Sequence, residues 1–244
     1  MSEPKLESSA NIGLARSSTN WDPSSYYCDP KIAATYDRDR FSSMAGAVYV
    51  RLERRALLRA LSVVPRGSQV LDLPCGTGRL AEILLENGYR VIGADISQEM
   101  LNVAQERLRR FGDRFSWEIR DARLGSRAEK RFPLVLCARV LMHFPLEEQI
   151  AFLKGVVALS SKYVVITHSF DSAYQRARRY AKRLMLGATA PAAHPIGDAA
   201  IRRLLAETSL REIRRIRLLP LVSEAVIIVA ERSDRAEELP DQSK

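Results

Sequence analysis

Between Val70 and Ala81 the chain reads VLDLPCGTGRLA, an apolar run that breaks into a glycine bend and resumes as a helix-like stretch. Apolar residues on both sides of Asp72 suit a strand buried on both faces, as strands of a parallel sheet are. Gly76 and Gly78 allow positive φ and a close approach of backbone to a ligand. The helix that follows starts with unpaired N–H groups. In an open α/β sheet such a bend sits at the carboxyl end of a strand, where ligands bind. The bend therefore requires neighbouring strands joined by helical crossovers.

The rest of the chain supplies them. Helical spacing covers Ala45 to Leu61, Leu80 to Asn87, Glu99 to Phe111 and Leu146 to Leu159. Strands are expected at Ser68–Leu73, Tyr89–Asp95, Phe115–Asp121, Leu134–Ala138 and Tyr163–Thr167. Strands alternating with helices imply a mostly parallel sheet. After the fifth strand a basic helical stretch, Asp171 to Gly187, leads into a Pro-containing loop. Asp198 is the expected N-cap of a helix over Ala199–Thr208. Two closing strands follow at Glu212–Leu219 and Glu224–Ala230. The expected organisation is a disordered lead-in at 1–25 and one domain at 26–231, with lid helices at 26–62 and a cap insertion at 171–197. A flexible tail at 232–244 completes it.

Composition narrows the class. Three cysteines, Cys28, Cys75 and Cys137, carry no metal-ligand spacing. They read as free thiols of a reducing cytoplasm, and no metal site is expected. No leader-like segment or membrane-spanning apolar run is visible. The net charge is +9, and between Asp171 and Arg217 eleven arginines and lysines stand against four acids. Such a surface suits anionic substrates or an anionic membrane face.

A Gly-x-Gly bend alone is weak evidence, and Gly76 to Ala81 also fits a dinucleotide pattern. The surrounding residues carry more. Leu71 to Gly78 resembles, without a gap, the first motif of class I, Rossmann-like methyltransferases that use S-adenosylmethionine (SAM) and act on small molecules. Asp95, at the end of VIGAD, matches the family's ribose-binding acid. Asp121-Ala122 resembles its adenine-reading pair, and Ala138 to Phe144 the segment near the transferred methyl. The resemblance implies a doubly wound sheet of seven mostly parallel strands with a helical cap insertion after the fifth strand. It also implies that Asp72, Pro74, Cys75, Gly76, Gly78, Asp95, Ile96, Asp121, Ala122 and Ala138 line a site for SAM and its product S-adenosyl-L-homocysteine. Ala34 to Phe41 is similar to a lid segment of small-molecule methyltransferases, which adds Tyr36 and Arg40.

Methyl transfer from a sulfonium needs positioning and, for some acceptors, a base. The three histidines, His143, His168 and His194, are the candidates for that base or for orienting the acceptor. The expected acceptor is O, N or C of a small or lipid-linked metabolite. RNA or protein methylation, nicotinamide oxidoreduction and a non-catalytic SAM-binding subunit are the competing readings. Pro74-Cys75 lies in the wrong loop for a cytosine-C5 nucleophile, and the fourth strand lacks the signature of amino-methylating DNA enzymes, so no DNA partner is expected. The basic stretch Tyr174 to Leu186 is expected to form a helix with Tyr174, Ala177, Ala181 and Leu184 along one stripe and Arg178, Arg179, Lys182 and Arg183 supplying charge. Its cations then hold an acidic substrate or rest on anionic membrane.

Overall fold

The computed structural model describes residues 29–124, 131–186, 194–219 and 223–233. The proposed lead-in, the tail beyond Ser233 and the loop at 187–193 lie outside them.

Two helices, α1 (Pro30–Phe41) and α2 (Met44–Leu61), precede the sheet. Then come β1 (Gln69–Asp72), α3 (Arg79–Glu86), β2 (Arg90–Asp95), α4 (Gln98–Leu108), β3 (Phe115–Ile119) and β4 (Phe132–Ala138). After these follow α5 (Leu146–Ala158), β5 (Ser160–Ser169), α6 (Ala173–Leu186), α7 (Asp198–Glu207), β6 (Leu210–Arg217) and β7 (Ala225–Arg232). The seven strands form one sheet in the order β3-β2-β1-β4-β5-β7-β6. Strands β1 to β5 pair in parallel, and β7 runs antiparallel between β5 and β6. The order reverses between β1 and β4, which opens a crevice at their carboxyl ends.

Both faces of the sheet are covered. In β4, Val135 and Cys137 pack towards Leu153 and Val156 of α5 and Leu204 of α7. Leu134 and Leu136 pack towards Leu57 of α2 and Leu84 of α3. The period-two alternation of strand side chains divides one apolar run between two cores. Ser43 caps α2 by accepting from the Gly46 amide at 3.0 Å, and Ser97 caps α4 through Met100 at 3.2 Å.

Several expected boundaries move. β3 stops at Ile119, where its partner β2 ends at Asp95. β5 extends to Ser169 because β7 pairs with it through His168↔Val226 and Ser169↔Ala225. His168 therefore lies in the strand and not after it. Asp198 is the first residue of α7; Gly197 is the N-cap, and the Asp198 carboxylate pairs with Arg215. Arg232 belongs to β7 and donates to the carbonyls of Val157 and Ser160 at 3.2 and 2.7 Å, so the tail does not begin there. The stripe of α6 faces outward: Tyr174 and Leu184 are exposed, while Gln175 is buried. Gln175 donates to the Ser223 carbonyl, and Arg179 pairs with both Asp171 and Glu224. Polar ties to the start of β7, rather than apolar packing, hold this side of the helix down. Among the described residues no helix is long and apolar enough to cross a membrane.

Candidate active site

β1 delivers Asp72, 1% exposed, to the edge of the crevice. Burial is the main reason its pKa rises, to about 8, and the carboxylate of Asp95 adds to the rise. Arg79 and the Ala81 amide pull against it only partly, and neither oxygen takes a well-formed hydrogen bond. A buried carboxyl in that condition is costly to ionise.

The bend after Asp72 is held from the next strand. The Cys75 amide donates to the Ala94 carbonyl at 2.9 Å. The Gly76 amide donates to Asp95 Oδ2 at 2.8 Å, and the Ser97 amide to Asp95 Oδ1 at 3.0 Å. Each oxygen of Asp95 keeps acceptor capacity toward the cleft, since a carboxylate offers about four lone-pair sites. Burial raises the Asp95 pKa while these amides oppose the rise. Gly76 has φ +53, and a side chain there would meet nothing within 4 Å; its glycine is required by backbone shape. Gly78 differs. It has φ +76, and a Cβ would come 2.9 Å from Leu108 and 3.1 Å from Ala104, so it seats α3 against α4 and does not line the cleft.

The cleft is walled by most of the residues expected there. Tyr36, Asp72, Pro74, Cys75, Gly76, Asp95, Ile96, Asp121, Ala122, Ala138 and His143 all line it. The Cys75 thiol is buried and its pKa is raised, first by burial and then by the two neighbouring carboxylates, which removes it as a nucleophile. Asp121 is forked by Arg123, with its pKa lowered by that bond. The side chain of Arg40 lies outside the described residues.

The histidines separate. His143 lines the cleft beyond β4. His168 is 1% exposed, with its two ring nitrogens 3.0 Å from Gln149 Oε1 and from the Ser169 carbonyl, and burial lowers its pKa to about 4. Its ring is neutral near pH 7 and lies outside this cleft. His194 is exposed, and it is joined to the body by its backbone, whose amide donates to Met142. Among the described residues no group of three His, Cys, Asp or Glu side chains could hold a metal ion.

Sequence reasoning missed other residues. Asp37 accepts from the Thr77 hydroxyl at 2.9 Å and from Arg107 at 2.5 Å, tying α1 to the bend and to α4. Its place beside Tyr36 was the available signal. Phe144 and Phe152 stack at 5.9 Å to give the cleft an apolar wall. Arg139, directly after Ala138, has φ +61 and points between Tyr49 and Glu53.

Residues 70–162 match the family described as a methyltransferase domain. Across 105 residues the chain is 30% identical to the magnesium-protoporphyrin O-methyltransferase of Synechocystis sp., covering 41% of this chain and 44% of that one. Across 80 residues it is 30% identical to a ubiquinone biosynthesis O-methyltransferase of Coxiella burnetii, covering 33% and 34%. The crystal structure of magnesium protoporphyrin IX methyltransferase from Synechocystis PCC 6803 with bound S-adenosyl-L-homocysteine superposes with a TM-score of 0.68 at 20% identity, over 86% of this chain and 98% of that one. The chain has the fold of that methyltransferase. The N-methyltransferase NodS from Bradyrhizobium japonicum shares its fold, with a TM-score of 0.59 at 17% identity over 82% and 98% of the two chains. The chain spans less than half the length of these curated relatives.

Proposed function

We propose that this methyltransferase domain moves a methyl group from SAM to O, N or C of a small or lipid-linked metabolite that carries an anionic group. The observation that carries the reading is Asp72, a buried carboxyl at the end of β1 whose oxygens lack well-formed partners, next to Asp95 and a glycine bend. These residues fit the donor. Asp72 matches its ammonium, Asp95 its ribose hydroxyls, and Asp121 its adenine amino group, with Ile96 and Ala122 against the ring. Tyr36, on α1, closes the cleft over them. Bound there, SAM supplies a methyl already activated by a sulfonium charge.

The chain's own task is to orient and desolvate the acceptor. His143 lies at the β4 end of the same cleft, where it orients the acceptor atom or takes its proton as the bond to carbon forms. The lipid-linked alternative is favoured by the outer face of α6, where Tyr174, Tyr180 and Leu184 are exposed beside Arg178. That face would let the enzyme rest on the cytoplasmic surface of an anionic membrane.

Calorimetry with SAM and S-adenosyl-L-homocysteine tests the donor assignment; binding is expected for both and is expected to fall sharply in Asp95→Ala. Radiolabelled SAM offered with small-molecule, lipid, RNA and protein fractions tests the acceptor. Label is expected in the first two, and label confined to RNA or protein would replace this reading. Equal binding by wild type and Asp95→Ala would end it.

A further inference from the structure

Helix α2 buries Glu53, Ala56, Leu57, Ala60 and Leu61 and turns a different stripe to solvent. Met44, Val48, Arg51, Arg55 and Arg59 are all exposed, Met44 by 90% and Val48 by 53%. At helical spacing the five fall within an arc of about 80°. Among the described residues none of these three arginine side chains makes a hydrogen bond or an ion pair, whereas Arg54 beside them pairs with Glu86 at 2.6 Å. Like charges four residues apart work against a helix. The macrodipole rewards a cation in the last turn, which accounts for Arg59 but not for Arg51 or Arg55. Arg214 of β6 donates to the Arg59 carbonyl at 2.7 Å and to Ser62 Oγ at 3.2 Å, which brings a further guanidinium to that end.

Helix α6 has the opposite balance. Its outer face exposes Tyr174, Tyr180 and Leu184, while Arg176 and Arg179 are committed to Asp171 and Glu224. The two helices border one cavity. A second cavity, of about 500 Å³, opens beside the donor cleft, and Arg139 lines both. Ser43, Ala45 and Gly46 at the start of α2 line it, as do Ser223 and Glu224, to which Gln175 and Arg179 of α6 donate. Met44, the apolar end of the α2 stripe, therefore stands on the side of the molecule that α6 occupies.

We propose that the outer stripe of α2 docks on an anionic phospholipid surface, with Met44 and Val48 entering the headgroup layer and Arg51, Arg55 and Arg59 on lipid phosphates, while the outer face of α6 rests on the same surface. An apolar end joined to a cationic stem suits that boundary, where hydrocarbon and negative charge lie a few ångströms apart. RNA would meet the arginines and leave Met44 and Val48 in water. The inference rests on the membrane reading of α6 given above and adds the electrostatic half of the contact.

The test sediments the full chain with vesicles of phosphatidylcholine alone and of phosphatidylcholine mixed with an equal amount of phosphatidylglycerol. Binding is expected to the mixed vesicles only, and high salt should release it. Replacing Arg51, Arg55 and Arg59 together by Gln is expected to weaken that binding about 100-fold, at about fivefold per arginine. SAM affinity by calorimetry should stay within about twofold of wild type. Replacing the three by Lys should restore most of the binding. Gln at Arg109, Lys154 and Arg202, exposed on other elements, removes the same charge and should cost less than threefold. Met44→Ser with Val48→Ser should cost about tenfold. Should the triple variant misfold, Arg55→Gln alone is expected to cost about fivefold. Equal losses from the α2 and control triples would mean that net charge alone acts, and would overturn the inference. So would vesicle binding that Leu184→Ser abolishes and the α2 triple leaves intact, which would leave the α6 reading standing. Binding of poly(U) in place of vesicles, lost in the α2 triple, would give the stripe to RNA and overturn the inference. A wild type that binds neither vesicle would remove the membrane reading as well, and leave the donor assignment to the calorimetry.

Discussion

The donor cleft and the second cavity share Arg139 yet are built on opposite terms. The donor cleft is backbone architecture: a glycine bend, two amides on Asp95, and strand ends fixed by parallel register. The second cavity is side-chain architecture, assembled from α2, the β4 exit and an antiparallel strand far along the chain. Backbone sites tolerate few substitutions and leave a short local signature. Side-chain sites vary freely on the same frame, which is why function resides in sites and not in folds.

The contrast extends to pH. In the donor half Asp72 has its pKa raised from 3.8 to about 8, so the folded protein without cofactor holds a proton that the unfolded chain releases. Stability then falls as pH rises through that window, by about 6 kcal/mol in all. Asp72→Asn is expected to abolish that loss in urea unfolding at pH 5 and pH 8. The same variant should weaken SAM about 100-fold, because the ionised carboxyl is what meets the ammonium. For wild type, SAM affinity should climb from pH 6 to pH 8 with proton release on binding. A pH-independent SAM affinity would show that Asp72 does not hold the donor's cation.

The next largest effect tests whether the donor half is as rigid as its backbone wiring implies. Gly155 of α5 lies against the carbonyl of Ala122, and a Cβ there would sit 1.8 Å from that oxygen. Gly155→Ala must push α5 away from the segment that carries Asp121 and Ala122. A loss of about 4 kcal/mol is expected in chemical denaturation, at the upper end for overpacking. A stable variant with unchanged SAM binding would mean that the adenine side of the cleft gives way easily, which would blur the contrast.

The second cavity has the opposite pH slope. His168 has its pKa lowered by burial from 6.5 to about 4. The neutral ring is favoured in the fold, so its contribution is complete above pH 6.5 and is lost as pH falls toward 4. The loss is about 3 kcal/mol. His168→Gln should flatten the stability profile between pH 6.5 and 4 while SAM affinity at neutral pH stays close to wild type. A large fall in SAM affinity would place His168 in the donor half after all.

These residues also mark what the sequence could reveal. The bend, Asp72, Asp95 and Ile96 were legible because strand, turn and helix start are local patterns whose physics is contained in a dozen residues. The sheet followed, since alternating apolar strands and amphipathic helices leave few connections. Gly155 and Arg139 were not legible, because each acts on segments 28 or more residues away, and no local pattern announces which backbone or carboxylate it will meet. His168 was misplaced for the same reason: β7, almost sixty residues later, lengthens β5 through it. For α6, helical spacing states which residues share a face and not which way that face turns.

The smallest expected effect probes the seam between the regions. Asp37 links α1 to the bend through Thr77 and to α4 through Arg107, and the neighbouring Tyr36 lies over the cleft. Asp37→Asn keeps the shape and removes the charge. The Asp37–Arg107 pair is part-exposed, with side chains 22% and 26% accessible, so solvent screens it and a loss of about 1 kcal/mol is expected. SAM affinity should drop about fivefold. If the link acts by holding Tyr36 in place, Asp37→Asn and Tyr36→Phe must be non-additive in SAM affinity, with a coupling above about 0.5 kcal/mol. Strict additivity would mean that α1 is merely packed against the bend. The lid would then belong with the side-chain architecture of the second cavity rather than with the backbone architecture of the donor cleft.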